Sequence, residues 1–254
     1  MSDEEEAEFY RQYNVHVKMR GVTTTQSVEE FHRNSLPVAR ERWRVVGNYF
    51  SPGKRVLEVG SSTGAFLSLI EGCETSGAEM AEANAAFSAQ FISDAVYGRV
   101  EEVPPGKQFD IICMFHVFEH IKAPVQFLKR CQTLLAPGGT VLIEVPHIDD
   151  PLISLYKLKE FKDFVFQPMH PMVYSVPSLR YVFTHSGLRE QNVIYHQRYG
   201  LDNHLAWLKN RKQGRDDVLS ELFADNEAYK RALQANKTTD TLFYIASAKG
   251  EADA

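Results

Sequence analysis

Arg55-Val56-Leu57-Glu58-Val59-Gly60-Ser61-Ser62-Thr63-Gly64-Ala65-Phe66 is the stretch that decides the fold of this 254-residue chain. It opens as a short apolar run, which reads as a buried parallel strand. An acid and a turn containing Gly60 and Gly64 follow, and then the apolar face of a helix made by Phe66, Leu67, Leu69 and Ile70. Glycine lets backbone come close to a ligand without the steric penalty of a Cβ. A strand, loop and helix of this kind stand at the carboxyl edge of an open α/β sheet, where nucleotide-like cofactors bind. A dinucleotide fingerprint would need glycine where Ser62 stands, so a nicotinamide dehydrogenase is disfavoured; the pattern is acid-x-Gly-x-x-x-Gly.

Outward from this stretch the chain alternates strands and helices. Strands are expected over 55–60, 75–79, 95–100, 108–115 and 140–145, and helices over 65–72, 82–91 and 123–135, the last ended by Pro137-Gly138-Gly139. A further helix is expected over 177–186, and closing strands over 188–198 and 241–248. This rhythm implies an α/β fold: a Rossmann-like, seven-stranded, mostly parallel sheet with helices on both faces. A helical pattern over 27–50, broken or restarted at Pro37, gives an N-terminal helical cap over 1–50. The main domain covers 51–248, with helical insertions at about 148–168 and 201–236 and a tail at 249–254.

The composition narrows the classes of function. Apolar residues make up 44%, enough for a sizeable core. A net charge of −5 without a basic block disfavours nucleic acid as a partner. Cys73, Cys113 and Cys131 show no metal-ligand spacing, and the last two, in apolar runs, read as reduced core residues. The first residues are acidic rather than basic and then apolar, so no secretory leader is expected. No apolar run reaches membrane-spanning length. A cytoplasmic protein with no membrane partner is the expectation.

Five segments, in order, carry a resemblance: Val56-Leu57-Glu58-Val59-Gly60-Ser61-Ser62-Thr63-Gly64, Ser76-Gly77-Ala78-Glu79-Met80, Phe109-Asp110-Ile111-Ile112, Phe115-His116-Val117-Phe118-Glu119-His120 and Leu134-Leu135-Ala136-Pro137-Gly138-Gly139-Thr140. Together they resemble the class I S-adenosylmethionine-dependent methyltransferases, over roughly residues 50–190. The fourth segment and Ile143-Glu144-Val145-Pro146 resemble a small-molecule branch that includes ubiquinone-pathway and sugar methyltransferases. The resemblance implies S-adenosyl-L-methionine as cofactor. It places Glu58, Gly60, Ser61, Ser62 and Gly64 around the methionine portion, Glu79 on the ribose hydroxyls and Met80 on the adenine. Many relatives carry an acid near the adenine amine where Arg99 stands, which moves that role to Glu101 or to backbone. Phe115 and His116 are expected near the sulfonium, which suits aromatic contacts.

Methyl transfer is an in-line displacement, and a hydroxyl acceptor benefits from a base that removes its proton. The candidate bases are His116, His120, His147, His170, His196 and His204, with His147 placed first, His170 second and His204 third. Glu119, His120, Glu144 and His147 combine carboxylate and imidazole, but their spacing fits no closed tetrahedral site and no metal is expected. The leading expectation is O-methylation of a small molecule, a sugar or sugar-derived hydroxyl in carbohydrate biosynthesis, with a nucleotide sugar as a possible partner. C- or N-methylation of a nucleotide-linked sugar and a non-catalytic cofactor-binding partner protein are the alternatives. A lid is expected from Tyr10, Tyr13, the helix around Phe31 and the insertion after Pro146.

Overall fold

The structure is a computed structural model that describes residues 27–167 and 170–248. The expectations that fall on 1–26, Tyr10 and Tyr13 among them, and on the tail lie outside the described residues.

Helix α1 (Val28–Val46) starts at Ser27, whose hydroxyl accepts the Glu30 N–H at 3.3 Å, and carries Glu29 and Glu30 in its first turn. Pro37 does not break it: the helix runs through as one element. The pyrrolidine ring faces solvent, and the Ser35 hydroxyl donates to the Phe31 carbonyl at 2.9 Å within the preceding turn. The missing main-chain bond therefore leaves the buried face of the helix intact.

The strands are β1 (Arg55–Val59), β2 (Glu74–Ala78), β3 (Val96–Tyr97), β4 (Phe109–Phe115), β5 (Leu135–Pro146), β6 (Leu188–His196) and β7 (Thr241–Ala248). They form the expected seven-stranded, mostly parallel sheet, in the order β3-β2-β1-β4-β5-β7-β6. β1 lies parallel to β2 and to β4, and β2 parallel to β3; β6 and β7 are antiparallel, with an irregularity between Glu190 and Asn192. β2 and β3 step away from β1 on one side and β4 follows on the other. The chain thus reverses direction beside β1, and such switch points leave a crevice outside the carboxyl ends of the strands.

Two expected boundaries differ from the structure. Over 65–72 only a 3-10 turn, Leu67–Leu69, forms. Gly64 and Gly72 take left-handed backbone at either end, and the Ser68 hydroxyl donates to the Ala65 carbonyl at 2.8 Å, competing with helical bonding. Pro137-Gly138-Gly139 does not end a helix: helix α3 (Pro124–Leu134) stops earlier and β5 has already begun. A Cβ on Gly139 would lie 3.0 Å from the Phe109 carbonyl oxygen, so glycine is what lets β5 press against the start of β4.

The chain packs as two compact units. Among the described residues, the first holds 27–114 and Arg130–Val141, including α1, β1–β3, most of β4 and helix α2 (Glu82–Ser88). Its core contains Val56, Leu57, Phe66, Leu67, Phe109, Ile111 and Ile112. Among the described residues, the second holds Phe115–Lys129 and 142–248 except 168 and 169. Its core contains Phe118, Leu142, Ile143, Phe183 and the consecutive run Leu242–Ala246, a strand buried on both faces. It also carries α4 (Pro151–Ser154), α5 (Lys159–Val165), α6 (Val176–His185), α7 (Leu201–Asn210), α8 (Asp217–Leu222) and α9 (Glu227–Ala235). The two inserted segments pack on one another: Leu152, Leu158 and Trp207 form a buried cluster, and Phe161 meets Trp207 edge-on at 4.9 Å.

Candidate functional site

In the first unit the glycine loop and the end of β2 are tied together. Gly60 and Ser61 both donate to the Ala78 carbonyl, at 2.8 and 3.2 Å. Gly60 and Gly64 have φ of 72° and 73°, which glycine adopts freely, and between them Ser62 is held at φ 48°. That turn aims the Ser62 N–H at Glu79 Oε2, 2.8 Å away, while Glu79 Oε1 accepts from the Ala81 N–H at 2.7 Å. A carboxylate held in place by backbone N–H groups keeps acceptor capacity for ligand hydroxyls. Burial raises the Glu79 pKa, outweighing the stabilising N–H groups of Ala81, Ser62 and Met80. Met80 follows, half-buried.

Beneath the loop, Glu58 is 4% exposed and its Oε2 has no hydrogen-bond partner. Burial pushes its carboxyl up to about 8, opposed by the Arg42 charge and reinforced by Glu79. The Ser61 hydroxyl is buried and likewise without a partner. The loop's crest is pinned from α1: His32 Nδ1 lies 3.0 Å from the Thr63 carbonyl, and its ring stacks on Phe91 at 4.5 Å. After β3, Glu101 is exposed within the 3-10 turn Val100–Glu102, and it is Glu102 that folds back to accept the Gly98 N–H at 3.0 Å. A shallow cleft of about 350 Å³ at the amino ends of β1 and β4, lined by Pro52, Lys54, Asp110 and Pro137, contains none of the candidate catalytic or cofactor-binding residues.

The second unit holds the histidines. His147 is 2% exposed; its Nδ1 donates to the Thr239 carbonyl at 3.0 Å and its Nε2 lies 3.3 Å from Asp149. His204, 1% exposed on α7, places Nδ1 2.7 Å from the Tyr229 hydroxyl. Burial lowers the pKa of both. His170 donates from Nδ1 to the Val165 carbonyl at 2.8 Å and packs edge-on against His120 at 4.7 Å. His120 and His170 therefore stand together, while His147 and His204 both face the charge of Asp240.

A different histidine has the carboxylates. Phe115, 6% exposed, closes β4, and His116 turns the chain at φ 55°, its N–H on the Glu144 carbonyl at 2.9 Å. His116 Nδ1 lies 3.1 Å from Glu119 Oε1; its Nε2 lies 2.6 Å from Arg198 Nη1 and 3.4 Å from Glu144 Oε1. Glu119 and Glu144 are almost fully buried; burial raises the Glu119 pKa, but His116, His120 and its own backbone N–H together outweigh it and lower it. Arg198 is presented by a loop that Asp240 clamps, accepting the Tyr199 N–H at 2.9 Å and the Gln197 amide at 2.7 Å. The sequence pairs Glu119 and Glu144 with His120 and His147; in the structure both carboxylates converge on His116 instead. Glu119 at i+3 from His116 was a readable signal, whereas Arg198, 82 positions away, had none. Among the described residues, no three His, Cys, Asp or Glu side chains form a group that could hold a metal ion.

The sequence matches the methyltransferase-domain family over residues 31–192. It is 30% identical over 100 residues to the ubiquinone biosynthesis O-methyltransferase of Bradyrhizobium diazoefficiens, covering 36% of this chain and 39% of that protein. The chain thus spans about two fifths of the curated relatives it matches. Its fold is similar to a SAM-dependent methyltransferase from Archaeoglobus fulgidus, with a TM-score of 0.58, 22% identity and coverage of 86% of this chain and 97% of that one. It is also similar to the magnesium protoporphyrin IX methyltransferase of Synechocystis with bound SAH, with a TM-score of 0.58, 10% identity and coverage of 98% and 100%.

Proposed function

Because the chain belongs to the methyltransferase-domain family, we propose that it moves a methyl group from S-adenosylmethionine to a hydroxyl of a small-molecule acceptor. The observation that carries this reading is the Glu79 carboxylate at the end of β2, locked to the loop through the Ser62 N–H. It offers paired acceptors to two ribose hydroxyls. The unpartnered Ser61 hydroxyl and Glu58 Oε2 fit a ligand that brings further polar groups to the loop. Glu58, Gly60, Ser61, Ser62 and Gly64 would hold the methionine portion, and Met80 with Glu101 or the neighbouring backbone the adenine. When bound, the cofactor supplies an electrophilic methyl on a sulfonium. The chain's own work is to bind, to align and to manage the acceptor's proton.

A sugar or sugar-derived hydroxyl is the proposed acceptor. The two inserted segments that pack together through Trp207 support a covered acceptor region, as does the number of polar side chains in the second unit. A second reading, a phenolic hydroxyl, is favoured by the relatives named as ubiquinone biosynthesis O-methyltransferases. Methyl-labelled cofactor with a panel of nucleotide sugars, free glycans and catechols separates the two. Label in the sugars and not the catechols is the expected result; label in the catechols alone selects the second reading, and label in neither contradicts both.

A further inference from the structure

We infer that His116 is the base that takes the acceptor hydroxyl's proton, with Glu119 as the positioning residue that fixes its tautomer and Arg198 as the cap on its lone pair at rest. This rests on the methyl-transfer reading above. A guanidinium has donors and no acceptor. The 2.6 Å contact between Arg198 Nη1 and His116 Nε2 therefore requires the lone pair on Nε2. The ring proton is then on Nδ1, where it donates to Glu119 Oε1 at 3.1 Å. A buried carboxylate on one nitrogen and a lone pair on the other is the order of groups that makes an imidazole a directed base.

The surroundings agree with that assignment. The His116 and Arg198 side chains are 27% and 19% exposed, against 2% and 1% for Glu119 and Glu144, so the accessible edge of the cluster is the imidazole and the guanidinium. The left-handed backbone of His116 is a strain that the Glu144 carbonyl holds in place, and such strain concentrates at working residues. The charged groups facing the ring are Glu119 from the 3-10 turn after β4, Glu144 from β5 and Arg198 from the loop after β6. Burial opposes the imidazolium, but the charge of Glu144 and the hydrogen bonds of both carboxylates outweigh it, so the ring is a stronger base than an ordinary histidine. His147 and His204 are shifted the opposite way.

The step balances as follows. An acceptor hydroxyl replaces Arg198 Nη1 at Nε2, and its proton passes to Nε2 while both O–H electrons stay on oxygen. An oxygen pair forms the new C–O bond as the carbon–sulfur pair returns to sulfur. The imidazolium, neutralised by Glu119 and Glu144, releases its proton to water.

Nitrogen NMR of the full chain labelled at histidine reads the tautomer without any acceptor. The His116 signals are assigned by their loss in His116→Gly, which suits the left-handed backbone. The expected ring carries hydrogen on Nδ1 and none on Nε2 at mildly alkaline pH, and titrates at lower pH in Glu119→Gln than in the wild type. A proton on Nε2 in the neutral ring, or a titration that Glu119→Gln does not move, overturns the inference. With an acceptor that turns over, His116→Gly should lose roughly 10²–10⁴-fold in rate. Its affinity for S-adenosylhomocysteine should fall far less than its rate does, and added imidazole should restore part of the rate. Turnover within about tenfold of wild type would also overturn it. If the wild type methylates nothing, the methyl-transfer reading fails instead, and the NMR result still decides the tautomer.

Discussion

Glu58 and Glu79 show what one residue can reveal in the sequence and what it conceals. Both were legible as ligand-facing acids because each stands at or near the end of an apolar strand. Their energetics were not legible, since burial depends on residues far away in the chain. The folded protein keeps the Glu58 carboxyl protonated up to about pH 8, against an ordinary value of 4.5. A raised acid contributes stability that is whole below its unfolded pKa and is lost as pH rises through the folded one. Glu58→Gln removes that loss. In urea titrations across this range, the wild-type midpoint should fall between pH 4.5 and about 8 by more than the variant's does. Parallel curves would mean that Glu58 is ionised in the folded protein.

At the scale of elements, β2 and α1 carry the sharpest tests. Gly77 lies in β2, where an added Cβ would come within 2.6 Å of the Ser61 hydroxyl and 2.9 Å of Ile92. Gly77→Ala should displace the loop, weakening cofactor binding by about tenfold or more while the chain still folds; calorimetric titration with S-adenosylhomocysteine checks it. Unaltered affinity would show that the loop tolerates the shift. In α1, Pro37 is exposed and lacks an N–H for its helix. Pro37→Ala should raise stability by about 1–3 kcal/mol, seen as a higher urea midpoint with an unchanged slope. Proline's missing N–H and the clash of its ring with the preceding turn explain why the sequence suggested a break here. The apolar face of α1, with Ala39 and Val46 buried, overrode the local preference. At 65–72 the opposite happened, where two left-handed glycines and Ser68 cut short a segment whose apolar spacing looked helical.

For the molecule as a whole, the strand order was readable because each parallel strand announces itself as a short apolar run bounded by turn residues. β1 and β4 are of that kind, buried along almost their whole length. The loop proposed to hold the cofactor was readable for the same reason, since its residues sit within two such strand ends. The cluster around His116 was not. His116, Glu119, Glu144 and Arg198 come from three separated segments, and only the folded chain brings them within hydrogen-bonding range. No helix among the described residues is long and apolar enough to cross a membrane.

The central claim is that the glycine loop and Glu79 hold an S-adenosyl group and not a dinucleotide. Calorimetric titration of the wild type and Glu79→Ala with S-adenosylhomocysteine and with NAD tests it most directly. S-adenosylhomocysteine should bind the wild type and also raise its melting temperature by mass action. NAD should do neither, and Glu79→Ala should lose on the order of 1.5–3 kcal/mol of S-adenosylhomocysteine affinity through its charge-assisted hydrogen bonds. Binding of NAD without binding of S-adenosylhomocysteine, or full affinity in Glu79→Ala, would contradict the account.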